Sequence, residues 1–220
     1  MDTQVEMLLD SILVACPQRI FVKKVKQIKK KYSFKSKNTM FSIRELCSLL
    51  YIVDQEELAL QVAALIDKLE YTGNMLIWMN VYGVITVESL IYAKRGENEK
   101  VKTCRKTIED VYLYYGDEAE QRVSMKVFKR IMNGEVFYLE EIKEKQESGD
   151  LKSEISWRHA QFEKLLFIRA MGGSEAYPIE KLDPMIEEEK QFIAKHIAKA
   201  LFLAEPYFVK KIVFFLLTIL

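Results

Sequence analysis

The chain has 220 residues, 50% of them hydrophobic and 30% charged, enough apolar side chain to bury a core and too little polar bias for a disordered segment. Its 33 basic and 32 acidic residues leave a net charge of +1, so no global field draws in nucleic acid or an anionic membrane, and such binding would need a local patch. Only 8 glycines and 4 prolines punctuate the chain, which argues against the frequent turns of a sandwich or barrel and for long helices joined by short turns.

Val5, Leu8, Leu9, Ile12 and Leu13 recur at steps of three and four, predicting a first amphipathic helix that Pro17 closes. A second begins around Pro17, with Phe21, Val25, Ile28 and Tyr32 on one side and lysines around the rest. Ser42 with Glu45 reads as a capping box that starts a helix through Ile43, Leu46 and Leu50. Asp54 with Glu57 repeats the device for a helix carrying Leu58, Val62, Leu65, Ile66 and Leu69, which Gly73 ends. Met75 to Arg95 is apolar on much of its circumference, which places it centrally. Gly96 turns the chain into a return helix through Val101, Cys104, Ile108 and Val111, stopped by Gly116.

Asp117 with Glu120 opens a third pair, in which Val123, Val127, Phe128 and Ile131 lead to the Asn133-Gly134 turn and Val136, Leu139 and Ile142 follow. Ser148, Gly149 and Asp150 form the most loop-like break in an otherwise single domain over residues 1–220, and so the candidate sub-domain boundary. Trp157, Ala160, Leu165 and Ile168 continue a helix to Gly172 and Gly173. Asp183 followed by Pro184 reads as an N-cap and first helical residue for a helix through Ile193, Ile197, Leu201 and Ala204. Pro206 starts a last helix ending at Leu220, too short at Ile212 to Leu220 to span a membrane and apolar enough to be buried in the fold or in a homodimer. The expectation is an all-α chain of about ten helices arranged as stacked antiparallel helical hairpins.

Ile43, Leu46, Cys47, Leu50, Ala59, Ala63 and Ile66 have the spacing at which small and apolar residues let two helices of a pair approach closely. In this they resemble the tetratricopeptide repeat, and Tyr92, Gly96, Val101 and Ile108 resemble the turn and return helix of a second copy. The second copy departs from the pattern: Glu88 stands at a leucine position, Arg105 stands at a bulky apolar one, and the step between copies is longer than the family's. The resemblance implies an α-solenoid whose inner face presents Arg44, Ser48, Tyr51, Thr86 and Lys94 to a protein or peptide, and the two cations favour an acidic or carboxylate-bearing ligand.

A second candidate is the basic run 19–37, which contains no acidic residue and interleaves Phe21, Tyr32 and Phe34 with Lys23, Lys24, Lys26, Lys29, Lys30 and Lys31. That composition suits phosphate contacts with aromatic stacking, although an apolar stripe at helical spacing also fits a solvated face of a packed helix. His159 and His196 stand far apart without a metal-ligand spacing, and the carboxylate runs Glu140-Glu141 and Glu187-Glu188-Glu189 point around their helices rather than together. Met171-Gly172-Gly173-Ser174 lacks the lysine of a phosphate loop. No cofactor or metal is implied. Cys16, Cys47 and Cys104 lie apart among apolar residues, which fits a reducing cytoplasm, and the N-terminus lacks the basic start of a secretory signal. The expected function is therefore a non-enzymatic cytoplasmic interaction module for a protein or peptide. The alternative is a nucleic-acid-associated regulator using the basic helix.

Overall fold

The computed structural model describes residues 1–30, 32–33, 36–69, 75–114, 118–135 and 137–199. The described residues are all-helical: α1 (Thr3–Ala15), α2 (Arg19–Lys30), α3 (Lys37–Ile52), α4 (Glu56–Ala63), α5 (Met75–Lys94), α6 (Asn98–Tyr114), α7 (Glu118–Met132), α8 (Leu139–Ser148), α9 (Leu151–Ala170), α10 (Ile179–His196) and a terminal 3-10 turn (Ile197–Lys199). Gly73, Gly116, Lys31 and the apolar segment 206–220 expected to form the last helix lie outside them. The chain forms two compact units, Met1–Ile108 and Glu109–Leu220, with the division inside α6. Ser148 and Gly149 close α8, where Gly149 takes the left-handed conformation (φ 69°) that an L side chain resists.

In the first unit α3 is the hub, packing against α2, α4 and α5. Ile43, Leu46, Cys47, Leu49 and Leu50 are fully buried along it. Ala59 and Ala63 of α4 are buried too, and the Cys47 thiol donates to the Ala59 carbonyl at 3.4 Å, which marks a close approach of α4 to α3. α5 buries Trp78, Val81, Val84, Val87 and Ile91, in keeping with its nearly continuous apolar circumference. In the second unit α9 is the hub: it packs on α7, α8 and α10 and buries Ile155, Phe162, Leu165, Leu166 and Ile168.

Three helix starts differ from the sequence expectation. α3 begins before Ser42, with Ser36 as N-cap accepting from the Thr39 amide, so Ser42 and Glu45 are interior residues, 4% and 1% exposed. The apparent capping box is instead part of the core. α4 begins after Gln55 without a side-chain cap, and Asp54 takes a left-handed turn conformation (φ 60°) in the link from α3. α10 begins at Ile179, so Asp183 and Pro184 lie inside the helix on its exposed side; Asp183 pairs with Arg169 of α9 at 2.6 Å rather than capping.

Candidate functional site

α2 sorts its cations by helical phase. Lys24 shares the side of Ile20 and Ile28, four residues away on either side, and is buried at 2% exposure. Arg19, Lys23, Lys26 and Lys30, spaced by four, three and four residues, form an exposed stripe on the opposite side. Lys29 lies at the edge and donates to Asp10 of α1 at 2.6 Å. Of the six candidate lysines in the basic run, then, Lys23, Lys26 and Lys30 are presented outward, Lys24 is structural, Lys29 pairs with Asp10, and Lys31 lies outside the described residues.

The buried Lys24 ammonium donates to Glu45 of α3, whose side chain is 1% exposed. Phe41 lies alongside, with Lys24 Nζ 5.4 Å and the Arg44 guanidinium 5.0 Å from its ring centre. The Arg44 stem runs over Gly83 of α5, where a Cβ would come 2.8 Å from Arg44 Cγ, so glycine is what lets the arginine cross the helix. Arg44 is 8% exposed, Ser48 1%, Tyr51 9% and Thr86 3%, and the Thr86 hydroxyl donates to the Tyr82 carbonyl at 2.7 Å. Four of the five side chains expected to meet a ligand are thus buried in the first unit. Lys94 alone is exposed, and it pairs with Glu56 at 2.5 Å while Arg95 pairs with Glu57 at 2.7 Å, lining a shallow depression with Asp54 and Gln55.

Glu88, the departure from the repeat pattern, is 5% exposed on α5 and meets Asp67 from the turn after α4. Burial, then the charge of Asp67 and a hydrogen bond to it, push the Glu88 carboxyl up to about 8, so at neutral pH Glu88 holds a proton and donates it to Asp67. Burial also raises Asp67, whose Oδ1 is enclosed and meets no amide or hydroxyl donor among the described residues. The same surroundings raise Cys47 well above the ordinary thiol range and Cys104 to about 12, by burial first and then by the two carboxylates. These thiols stay protonated and unreactive at neutral pH. Sequence reasoning marked Glu88 as anomalous but did not find Asp67, which lies 21 positions earlier.

The second unit has its own polar centre. Arg158 of α9 donates to Glu154 at 3.1 Å and to Glu189 of α10 at 2.9 Å, while its guanidinium stacks 4.1 Å from the Phe192 ring centre. Gln161 donates to Glu189 at 3.0 Å and accepts from the Tyr138 amide at 3.2 Å; Gln146 of α8 donates to Glu154 at 3.0 Å. This network pins α8, α9 and α10 together and satisfies its buried carboxylates from several directions. His159 is 2% exposed beside Phe162, and His196 Nδ1 sits 2.9 Å from the Phe192 carbonyl, both as helix-packing residues. The glycine pair after α9 has φ values of 90° and 80° and closes the helix, with the Gly173 amide donating to the Ile168 carbonyl at 2.9 Å.

Among the described residues no three His, Cys, Asp or Glu side chains gather as metal ligands, and no helix is long and apolar enough to cross a membrane. Comparison with curated proteins and with solved structures gives no match. The family model that does match covers residues 2–195 and is described as a family of unknown function (DUF6707); the chain belongs to that family.

Proposed function

We propose that this protein is a non-enzymatic, cytoplasmic interaction module, built from stacked tetratricopeptide-like hairpins, that receives an acidic protein segment on the outer side of α2. The observation that carries the reading is the stripe Arg19, Lys23, Lys26 and Lys30, exposed along a helix that has no acidic residue, in a chain whose overall charge is only +1. A local cationic stripe steers an acidic partner to one face of a protein whose overall charge is close to zero. The hairpin reading is supported by the burial of Ile43, Leu46, Cys47, Leu50, Ala59, Ala63 and Ile66, the positions that resemble the repeat. The Lys24–Glu45 pair and the Glu88 side chain are enclosed by helix packing, with Asp67 half-buried beside Glu88, which supports structural roles for them rather than catalytic ones.

A protein partner fits better than nucleic acid. Lysine supplies point charge without the planar fork that reads bases, which disfavours sequence-specific recognition of nucleic acid. The test is fluorescence anisotropy with a glutamate-rich peptide and, separately, a mixed-sequence oligonucleotide, each across a salt series. Binding of the peptide, weakened at least tenfold by Arg19→Glu/Lys26→Glu, supports the proposal. Preference for the oligonucleotide with a steep salt dependence refutes it in favour of the phosphate reading.

A further inference from the structure

α1 and α2 are antiparallel neighbours: the chain reverses over residues 16–18, Asp10 pairs with Lys29, and Asp2 is close enough to Tyr32 for its charge to raise that phenol further, after burial. The Asp10–Lys29 pair marks the seam at the surface. Counting about 100° per residue, Met7 and Val14 lie about 60° and 40° round α1 from Asp10, and Arg19, Lys23, Lys26 and Lys30 lie about 60–120° round α2 from Lys29 in the same sense. Two right-handed helices running antiparallel turn to the same side of their seam when each is followed in that sense. The buried residues Leu9, Ile12 and Cys16 on α1, and Phe21, Lys24, Val25 and Ile28 on α2, turn the opposite way. Met7 and Val14 therefore share one outer face with the cationic stripe.

Both are conspicuous there. Met7 is 68% exposed and Val14 85%, two of the four large hydrophobic side chains exposed among the described residues. Seven residues apart on a helix, they stand about 10 Å from each other, beside a row of cations about 16 Å long. A partner helix offers apolar side chains at that same seven-residue interval and carboxylates along the adjoining flank. An extended peptide matches poorly, because the interval corresponds to about three strand residues, which puts successive contacts on opposite faces.

Resting on the reading that α2 receives an acidic protein segment, we infer that the partner is an amphipathic helix, seating its apolar ridge over Met7 and Val14 and its Asp/Glu flank along Arg19, Lys23, Lys26 and Lys30. The test uses the full chain and two synthetic peptides of identical composition and net negative charge. One places leucine on a single helical face with glutamate beside it; the other permutes the same residues so that no face is apolar. The patterned peptide should bind about tenfold more tightly, the equivalent of burying a methionine-sized contact, and Met7→Ser/Val14→Ser should erase that preference while the circular dichroism spectrum is unchanged. Equal binding of both peptides, insensitive to the serine pair yet weakened by Arg19→Glu/Lys26→Glu, overturns the helix inference and leaves the acidic-partner reading standing. Binding unaffected by the charge reversals overturns both.

Discussion

Replacing Glu88 with glutamine should flatten the pH dependence of the first unit's stability. The ordinary glutamate value is 4.5 and burial beside Asp67 lifts Glu88 to about 8, so the folded state holds a proton that the unfolded chain releases. For a carboxyl raised in this way, the stabilising contribution is complete below pH 4.5 and is lost as pH rises towards 8. At 1.36 kcal/mol per unit for one proton, the decline between pH 5 and pH 8 is at most about 4 kcal/mol. Glutamine keeps the shape, donates an N–H to Asp67 and does not titrate, so the variant should match the parent near pH 5 and exceed it by about 2–4 kcal/mol at pH 8. Each unit contains one tryptophan, Trp78 and Trp157. Urea unfolding followed by fluorescence in a Trp157→Phe background therefore reports the first unit alone. Parallel pH profiles for parent and variant would refute the shared proton.

Three further substitutions probe the packing. Lys24→Met should cost about 3–5 kcal/mol by stranding the buried Glu45 carboxylate, whereas Lys24→Met/Glu45→Leu should recover most of it; equal thermal midpoints for the two variants would contradict the account. Arg158→Leu should cost about 2–4 kcal/mol at pH 7 by leaving Glu154 and Glu189 face to face, and less near pH 5, because burial has already raised Glu189 towards protonation. An identical loss at both pH values, measured by thermal melts, would sink that electrostatic reading. Gly134→Ala combines φ 72° with a Cβ placed 2.6 Å from Tyr177 Cζ, so a loss of about 1–3 kcal/mol is expected, and unchanged stability would show that the Tyr177 ring moves aside.

The helices were legible because their cause is local: apolar residues at steps of three and four, with Gly96, Gly134 and Gly149 in left-handed turns between them. Helix starts were less legible. Ser42 and Glu45 fit a capping box in sequence, but Glu45 is held by Lys24, 21 positions away, and no local rule detects such a partner. Helical phase would have separated Lys24 from Lys23 and Lys26, because Lys24 falls in register with Ile20 and Ile28. Arg44, Ser48, Tyr51 and Thr86 were assigned to an inner concave face by resemblance, and their burial within the first unit leaves Lys94 as the one of the five at the surface. Glu88 shows the converse: a charged residue at an apolar position was the visible trace of a carboxyl pair whose second member only tertiary packing brings close.

The outer face of α1 and α2 as the docking surface is tested most directly by nuclear magnetic resonance, adding the patterned acidic peptide to the isotopically labelled full chain. Amide shifts should move along residues 3–15 and 19–30, with those of α7 to α10 unchanged. Shifts confined to the second unit, or to the depression between Glu56 and Lys94, would contradict it.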